Sequence, residues 1–189
     1  MEAPPECLRD GVFRTCARCR NLLVPQQDGR LGCAEERCRW AGPAAVGREI
    51  AAREGVLWLR RDLRLFVAAP GRMELALAQA LDRLGIALRL WPNFDAYDIE
   101  LTFPHGEIWA VDVKDWVSPY LLAKHVRPIP QAPAWDRAWF VFPQQRGRRQ
   151  EYVRTFTYHA SVLGGNPPTH AALERTFLQH VRRALEGGV

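Results

Sequence analysis

Three acidic side chains and one lysine occupy alternate positions in two neighbouring segments of the sequence. In the first segment, polar and apolar residues alternate, so that Asp98 and Glu100 lie on one face of a predicted strand. In the second segment, the same alternation places Asp112 and Lys114 on one face. A Pro-His-Gly turn separates the segments, which predicts a hairpin. If the strands pair, these charged groups meet on one patch of the sheet.

The register of this hairpin follows from the alternation, because directly opposite residues of an antiparallel pair share a face. We predict that Asp98 pairs with Asp112, which leaves a loop of five residues from Phe103 to Glu107. The two aspartates are then about 5 Å apart at Cβ, close enough to share one cation. The opposite face of the first strand is predicted to be apolar: Tyr97, Ile99, Leu101 and Phe103.

Charged groups without a partner are costly in a mostly apolar sheet, so this patch predicts a bound partner. Carboxylate oxygens are hard ligands, and they favour a divalent cation. The sequence therefore predicts a metal site on the hairpin.

A helix predicted from Arg72 to Leu84, with Gly85 as its stop, adds one more carboxylate. Glu74 lies in the first turn of this helix and on its apolar stripe. Two interpretations stay open. Glu74 stabilises the helix dipole, or it reaches the aspartate patch as a further metal ligand.

The rest of the chain alternates predicted helices and strands. They are a short helix over 46–54, a strand or hairpin over 56–69, a strand over 86–91, a short helix from Ser118 to about His125, a buried strand over 138–142, a helix from Arg148 to about Val162, and a last helix from a Thr169 cap to about Leu185. After residue 70 the predicted order is helix, three strands, helix, strand and helix, which is an α/β arrangement.

Four of the five cysteines have the spacing of a structural zinc site. Cys16-x2-Cys19 is followed by thirteen residues and then by Cys33-x4-Cys38. Four thiolates close a tetrahedral site, so this metal would be structural. Disulfides or free thiols are the alternative, and Cys7 is a candidate substitute for one of the four. The pattern resembles a zinc ribbon. It predicts a zinc-ribbon-like module over 1–42, a connecting segment over 43–69 and a larger domain over 70–189.

Composition limits the class of protein. The length of 189 residues suits one domain plus a small module, and an apolar content of 48% suits a packed core. No apolar run is long enough to cross a membrane, and the N-terminal residues lack signal-peptide features. We therefore expect a cytoplasmic protein, in which zinc is favoured over disulfides.

The positive charge of the chain lies in its last third. Residues 121–189 hold ten basic and four acidic side chains, in a chain of net charge +5. This excess suits a polyanionic partner, DNA or RNA, and we predict that Arg146, Arg148 and Arg149 contact its phosphates. An ordinary solvated surface is the alternative. Among the tryptophans, core positions are predicted for Trp91, Trp109 and Trp139, and Trp40, Trp116 and Trp135 are candidates for stacking on bases.

Asp98 followed by Asp112-Val113-Lys114 resembles the motif of the PD-(D/E)xK nuclease superfamily. The resemblance implies a restriction-endonuclease-like core, with a mixed central sheet flanked by helices, and magnesium-dependent cleavage of phosphodiester bonds. Glu74 matches the glutamate that this superfamily often has on the preceding helix. One departure is that Tyr97, and not proline, precedes the first aspartate.

Four segments are similar to the restriction-endonuclease-like proteins associated with bacterial pPIWI-RE proteins: Ala69–Glu74, Leu90–Pro92, Tyr97–Asp98 and Trp109–Asp115. This resemblance implies a role in defence against foreign DNA, beside a PIWI-like protein and a helicase. A second copy of the chain is a further candidate partner.

These features together predict a DNA endonuclease that depends on Mg²⁺ or Mn²⁺. Asp98, Asp112 and the Val113 carbonyl would hold the metal, and Glu74 or Glu100 would complete the site. Lys114 would orient the attacking water and offset charge on the phosphorane. One alternative is a catalytically inactive nuclease fold that serves as a DNA-binding or assembly subunit. Another is a zinc-ribbon transcription or adaptor protein.

Overall fold

The chain divides into two compact units, Met1–Arg64 and Leu65–Val189. The computed structural model describes residues 1–40, 42–52, 55–148, 151–163 and 170–187, apart from a few helical side chains. The predicted helix cap at Thr169 lies outside the described residues.

The first unit contains two small antiparallel sheets. Its strands are β1 Leu8–Arg9, β2 Val12–Cys16, β3 Leu23–Pro25, β4 Leu31–Cys33 and β5 Val46–Ala51, and its helices are a 3-10 helix Pro5–Cys7, α1 Glu36–Trp40 and α2 Arg61–Leu63. One sheet has the order β1-β2-β5, and the other pairs β3 with β4. Between β3 and β4, Gln26 N–H donates to the Arg30 carbonyl at 2.8 Å and Gly29 has a φ of 77°. This turn has the left-handed glycine that hairpins of this kind need.

The helix predicted over 46–54 is wrong, because this segment contains strand β5. Phe13 of β2 pairs with Ile50, and the Ala17 N–H donates to the Ala45 carbonyl at 2.9 Å. Gly47 lies so close to Ala17 that a Cβ at this position would be 2.9 Å from the Ala17 Cα. Pairing with a distant strand overrides the helical preference of these residues, and glycine permits the close approach.

The strand or hairpin predicted over 56–69 is also wrong. Apart from an isolated bridge between Glu2 and Leu57, the chain is helical from Arg61: α2 is followed by a π-helix Arg64–Ala68 and then by α3, Ala69–Asp82. Leu59, Leu63 and Val67 are exposed at intervals of four residues, which is a helical and not an alternating spacing. Pro70 lies at the junction where the π-helix gives way to α3.

The second unit is a five-stranded mixed sheet with helices on both faces, as predicted. After α3 come β6 Ala87–Leu90, a single turn α4 Pro92–Asp95, β7 Ile99–Thr102, β8 Ile108–Val113, α5 Pro119–His125, β9 Arg137–Phe142, a 3-10 helix Gln144–Arg148, α6 Tyr152–Leu163, β10 His170–Leu173 and α7 Glu174–Leu185. The strand order is β10-β9-β8-β7-β6. The pairs among β6, β7 and β8 are antiparallel, and those among β8, β9 and β10 are parallel.

Each face of this sheet has its own hydrophobic core. One core joins the sheet to α3 and α7, and its helical members are Leu77, Ala78, Leu81, Phe177 and Val181. The other joins the sheet to α5 and α6, through Leu122, Ala123, Tyr152, Phe156 and Ala160. Because both strands are covered on both sides, β9 is buried almost throughout and β8 is buried from Trp109 to Val111. Within the described ranges, no helix has both the length and the apolar character needed to span a bilayer.

Strand β10 was not predicted. His170 to Leu173 was expected to begin the last helix, but it pairs in parallel with Trp139 to Phe142 of β9, and α7 begins only at Glu174. The short sequence Ala-Ala-Leu does not oppose a helix locally, whereas the ladder with β9 and the stacking of His170 on Trp139, at a centroid distance of 4.5 Å, stabilise a strand. The predicted C-terminal end of α3 is close to the observed one. The helix ends at Asp82, and Gly85, with a φ of 75°, lies in the turn that follows.

Leu81→Ala should destabilise the protein by about 2–5 kcal/mol, because a buried leucine loses its transfer free energy and leaves a cavity. Leu81 is 0% exposed in the core under α3, whereas Leu75 on the same helix is 42% exposed. Leu75→Ala should therefore change the free energy of unfolding by no more than about 0.5 kcal/mol. Urea unfolding of the two variants measures both values, and equal losses would contradict the packing face assigned to α3.

Candidate active site and cysteine cluster

The predicted alignment of Thr102 with Ile108 is confirmed, and the ladder runs from there to Ile99 opposite Val111. Thr102 of β7 lies opposite Ile108 of β8, so the loop between the strands has five residues. One position beyond β7, the Asp98 N–H donates to the Val111 carbonyl at 3.1 Å. Asp98 departs from this register, because its N–H bonds to the carbonyl of the residue that already lies opposite Ile99. The predicted pair of Asp98 with Asp112 is therefore not part of the ladder, although the two carboxyl groups are close enough to interact.

The prediction for Tyr97 is wrong, because its side chain lies on the other face. Ile99 and Leu101 pack in the core shared with α3, whereas Tyr97 packs with Ala110 in the core shared with α5 and α6. The Tyr97 hydroxyl donates to Glu100 Oε2 at 2.7 Å. The alternation does not extend to Tyr97 because β7 begins at Ile99 and the ladder is irregular just before it, where the Asp98 N–H bonds to the residue opposite Ile99.

Asp98, Asp112 and Lys114 come together where β7 begins and β8 ends. Lys114 Nζ lies 2.5 Å from Asp112 Oδ1. The Val113 N–H donates to Asp98 Oδ2 at 2.5 Å. Just past β8, the Lys114 N–H donates to the Val141 carbonyl of β9 at 3.0 Å, so pairing to both neighbouring strands positions these groups.

The electrostatics of this patch are dominated by crowded carboxyl groups. Burial, followed by the charge of Asp112, raises the pKa of Asp98 from 3.8 to about 8. The hydrogen bond from Val113 N–H acts in the opposite direction, while the Glu74 charge raises the pKa further. The carboxyl groups thus carry more negative charge than Lys114 alone offsets, and such a donor set fits a divalent cation bound through hard oxygens.

Lys114 stays positively charged in this setting. Burial acts to lower its pKa, but Asp112, Asp98 and Glu74 raise the pKa above the ordinary value for lysine. A charged ammonium beside paired carboxylates can bind a phosphate oxygen or a water molecule.

Glu74 faces this patch from α3. Because the helix begins at Ala69, Glu74 is beyond the first turn, where a helix dipole acts most strongly. The charge of Glu74 acts on both Asp98 and Lys114. Of the two interpretations of Glu74, the structure therefore favours a carboxylate near the aspartate patch over one that stabilises the helix dipole.

Trp91 holds Glu74 and was missed by the sequence analysis, which assigned it to the core. Its indole N–H donates to Glu74 Oε2 at 2.7 Å, and its side chain is 44% exposed. Trp91 has a φ of 48° and leads into α4, where Asn93 and Phe94 also have left-handed φ values of 49° and 56°. The signal in the sequence was Trp-Pro-Asn, since proline cannot continue a strand ladder and asparagine tolerates left-handed backbone.

Glu100 has other partners. In addition to the Tyr97 hydroxyl, Arg89 Nη2 donates to Glu100 Oε2 at 3.1 Å. Arg89 belongs to β6, and Tyr97 precedes β7. Glu100 is therefore a weaker candidate than Glu74 to complete a metal site.

The four predicted cysteine ligands form one cluster, and together they can hold a metal ion such as zinc. The Sγ atoms of Cys16, Cys19, Cys33 and Cys38 all lie within 4.8 Å of one another. Among the described residues, this cluster is the only group of three or more cysteine, histidine, aspartate or glutamate side chains gathered closely enough to hold a metal ion.

The pKa values of the thiols differ within this cluster: backbone hydrogen bonds favour the thiolate of Cys16, whereas burial raises the pKa of Cys33 and of Cys38. Burial acts to raise the pKa of the Cys16 thiol, but the backbone N–H groups of Cys19 and Arg18 lower it to about 7. Arg20, with a left-handed φ of 61°, closes the turn by donating its N–H to the Cys16 carbonyl at 2.8 Å. Cys7 is buried in a separate cluster with Phe13 and Leu22 and is not a member of the metal-binding set.

The arginines assigned to phosphate contacts have different surroundings from those expected. Arg146 is only 3% exposed, and its Nε donates to Asp115 Oδ1 at 2.6 Å, so its charge is not on the surface. The side chain of Arg148 is not described, and Arg149 lies outside the described residues. The charge count could not indicate this burial, because Asp115 is far from Arg146 in sequence.

The tryptophans divide according to their environment. Trp109 and Trp139 are buried in the core, as predicted. The indole N–H of Trp135 donates to the Pro130 carbonyl at 2.7 Å, and the side chain of Trp40 is not described. Of the three candidates for stacking, Trp116 is 41% exposed and lies two residues after Lys114.

A protein-family model described as "REase associating with pPIWI_RE" matches residues 71–189. This span covers Glu74, the hairpin and all five strands of the second unit. A search of curated proteins gave no match, and a search of solved structures gave none.

The raised pKa of Asp98 predicts a pH dependence of stability in buffer without added divalent cation. Because the folded state binds this proton more tightly than the unfolded state, the stabilisation is present below the ordinary pKa of 3.8 and is lost as the pH rises towards about 8. In Asp98→Asn, the part of the decline in the free energy of unfolding that comes from this carboxyl group should be absent. Asp82→Asn, at an exposed position on α3, should retain it. Urea unfolding across this pH range measures the difference, and identical profiles for all three proteins would contradict it.

Proposed function

The chain belongs to the family of REases that associate with pPIWI_RE, and on that premise we propose that it is a metal-dependent nuclease that hydrolyses phosphodiester bonds of DNA. One observation carries the proposal: at the end of the hairpin Asp98 accepts a hydrogen bond from the Val113 N–H, next to Asp112, and Lys114 Nζ lies 2.5 Å from Asp112 Oδ1. Paired carboxylates with an adjacent ammonium suit phosphoryl chemistry, in which a cation and a positive side chain stabilise developing negative charge.

Asp98, Asp112 and the Val113 carbonyl would hold Mg²⁺ or Mn²⁺, and Glu74 would complete the ligand set, directly or through water. The metal, when bound, would polarise the phosphate and lower the pKa of an attacking water. The crowding that raises the pKa of Asp98 supports this assignment, because a cation at the patch would restore the ionised carboxylate. Trp91 would keep the Glu74 carboxylate oriented.

Lys114 would act on the substrate side of the same patch. Its charged ammonium would contact a phosphate oxygen or hold the attacking water, and it would offset charge that accumulates in the transition state. The hydrogen bond from the Lys114 N–H to the Val141 carbonyl fixes the backbone from which this side chain extends. The side chain would therefore need little rearrangement to reach the substrate.

The family name points to association with a pPIWI_RE protein. We infer that the chain acts beside such a PIWI-like protein, and with a helicase, in defence of a prokaryotic cytoplasm against foreign DNA. Within the chain, residues 70–189 would form the nuclease domain and residues 1–42 a zinc module that grips DNA or the protein partner. Pairing of two copies would allow both strands of a duplex to be cut.

Cleavage should require the carboxylate patch and a divalent cation. With Mg²⁺ or Mn²⁺ and single-stranded, duplex and plasmid DNA, Asp112→Asn and Lys114→Met should each lower the cleavage rate by about 100-fold or more. Glu74→Gln should weaken cleavage at limiting metal, whereas the matched change Glu100→Gln should have little effect, since Glu100 pairs with Arg89. Full activity of Asp112→Asn, or no metal-dependent cleavage by the wild type on any substrate, would refute the nuclease and leave the non-catalytic subunit.

The cysteine cluster should bind about one zinc per chain as purified. Cys33→Ser and Cys38→Ser should lose zinc and destabilise the first unit, because a unit with so small a core depends on its metal. Cys7→Ser should keep the zinc, because Cys7 packs in the other cluster. Elemental analysis measures the ratio, and wild-type protein without zinc would exclude the module.

A further inference from the structure

A cavity of about 420 Å³ opens beside the candidate active site, within the second unit. Asp112 and Lys114 form one side of it, so the cavity is continuous with the patch where a phosphate would lie. A volume of this size is in the usual range of small-ligand sites. The catalytic roles proposed above do not use the rest of its lining.

The far side of the cavity is aromatic and apolar. Trp116 stacks on His125, with a centroid distance of 6.0 Å and an interplanar angle of 25°. Leu122 and Val126, from the last turn of α5 and the residue after it, supply the apolar lining, and Arg127 adds a cation. An aromatic ring stacks on the face of a nucleobase, and cations beside the ring bind the neighbouring phosphates. The lining of this cavity has both features.

Buried polar groups hold this aromatic wall in place. The Tyr152 hydroxyl donates to the Trp116 carbonyl at 2.6 Å, and Tyr152 itself is buried. The preceding residue, Asp115, accepts the 2.6 Å hydrogen bond from buried Arg146. These two hydrogen bonds fix the backbone at Trp116 and the side chain before it, and the stacking on His125 positions the indole, which makes this a preorganised surface.

We propose that this cavity receives one unpaired nucleobase of the DNA strand whose phosphate lies at Asp112 and Lys114. In a duplex, each base is paired and stacked between its neighbours, so it cannot present a face to Trp116. A base that is splayed out of the strand can do so. The substrate class is therefore single-stranded DNA, or duplex DNA with an unpaired nucleotide next to the cleaved bond. This inference rests on the proposed nuclease function, because that function places the phosphate.

The test measures binding without cleavage. The full chain, in buffer without added divalent cation, is titrated by fluorescence anisotropy against a labelled strand of about 12 nucleotides, a length typical of single-strand sites. A second set of strands carries one abasic residue at each position in turn. We expect one abasic position to weaken wild-type binding by about 5- to 150-fold, the loss of one stacked base.

Trp116→Ala should weaken binding of the intact strand by a similar factor, and the abasic change at that same position should then cost nothing more. Such non-additivity identifies a direct contact between the base and the indole. Trp116→Phe should recover most of the affinity. Tyr158→Ala, which removes an aromatic ring that is 63% exposed on α6 outside the cavity, should behave as wild type. A bulged duplex should bind wild type more tightly than a fully paired duplex, and Trp116→Ala should abolish that preference.

The outcomes separate the two proposals. Losses that add at every position, or no loss with Trp116→Ala, would overturn the base site even if the wild type cleaves DNA with metal. Coupling between the abasic position and Trp116, together with no cleavage under any metal condition, would leave the base site standing and refute the nuclease. A wild type that binds none of these DNAs would overturn the base site as well.

Discussion

The geometry of the candidate active site depends on the length of one loop. Side chains alternate between the faces of a strand, so the five-residue loop sets Glu100 opposite Ala110 and brings Asp98 beside the end of β8, where it accepts a hydrogen bond from the Val113 N–H. A slip of one residue would place Glu100 on the side of the α3 and α7 core, where its charge would be buried among Ile99 and Leu101. The cost of that burial would by itself enforce the register.

Around this hairpin, other acidic side chains have partners of their own and therefore do not compete with Asp98 and Asp112 for a cation. Glu100 is held by Arg89 and Tyr97, and Asp115 is held by Arg146. In the ion pairs described, the other acidic residues of the patch have no arginine partner, and Lys114 is the cation beside them. Buried arginine thus serves the shape of the site, and the surface is less basic than the composition suggests.

Local patterns were enough to predict the parts of the structure that depend on short-range rules. The hairpin register follows from alternation, the cysteine cluster from ligand spacing, and the end of α3 from Gly85. The errors arose where a distant segment decides the conformation. Strand β5 exists because β2 pairs with it, β10 because β9 does, and Arg146 is buried because Asp115 is beside it. Tyr97 and the predicted pair of Asp98 with Asp112 were misplaced for a simpler reason, since Tyr97 and Asp98 lie before the strand whose period was applied to them.

The ion pair between Arg89 and Glu100 has a second consequence, at the margin of the sheet. Strand β6 is an edge strand of four residues, and an edge strand offers its backbone to the strands of other molecules. Arg89 lies inside β6 and is anchored to Glu100 on the neighbouring strand. An incoming strand would have to desolvate that arginine, so growth of the sheet by aggregation is discouraged. The contact that keeps Glu100 away from the aspartates therefore also protects a protein with an open sheet from polymerising.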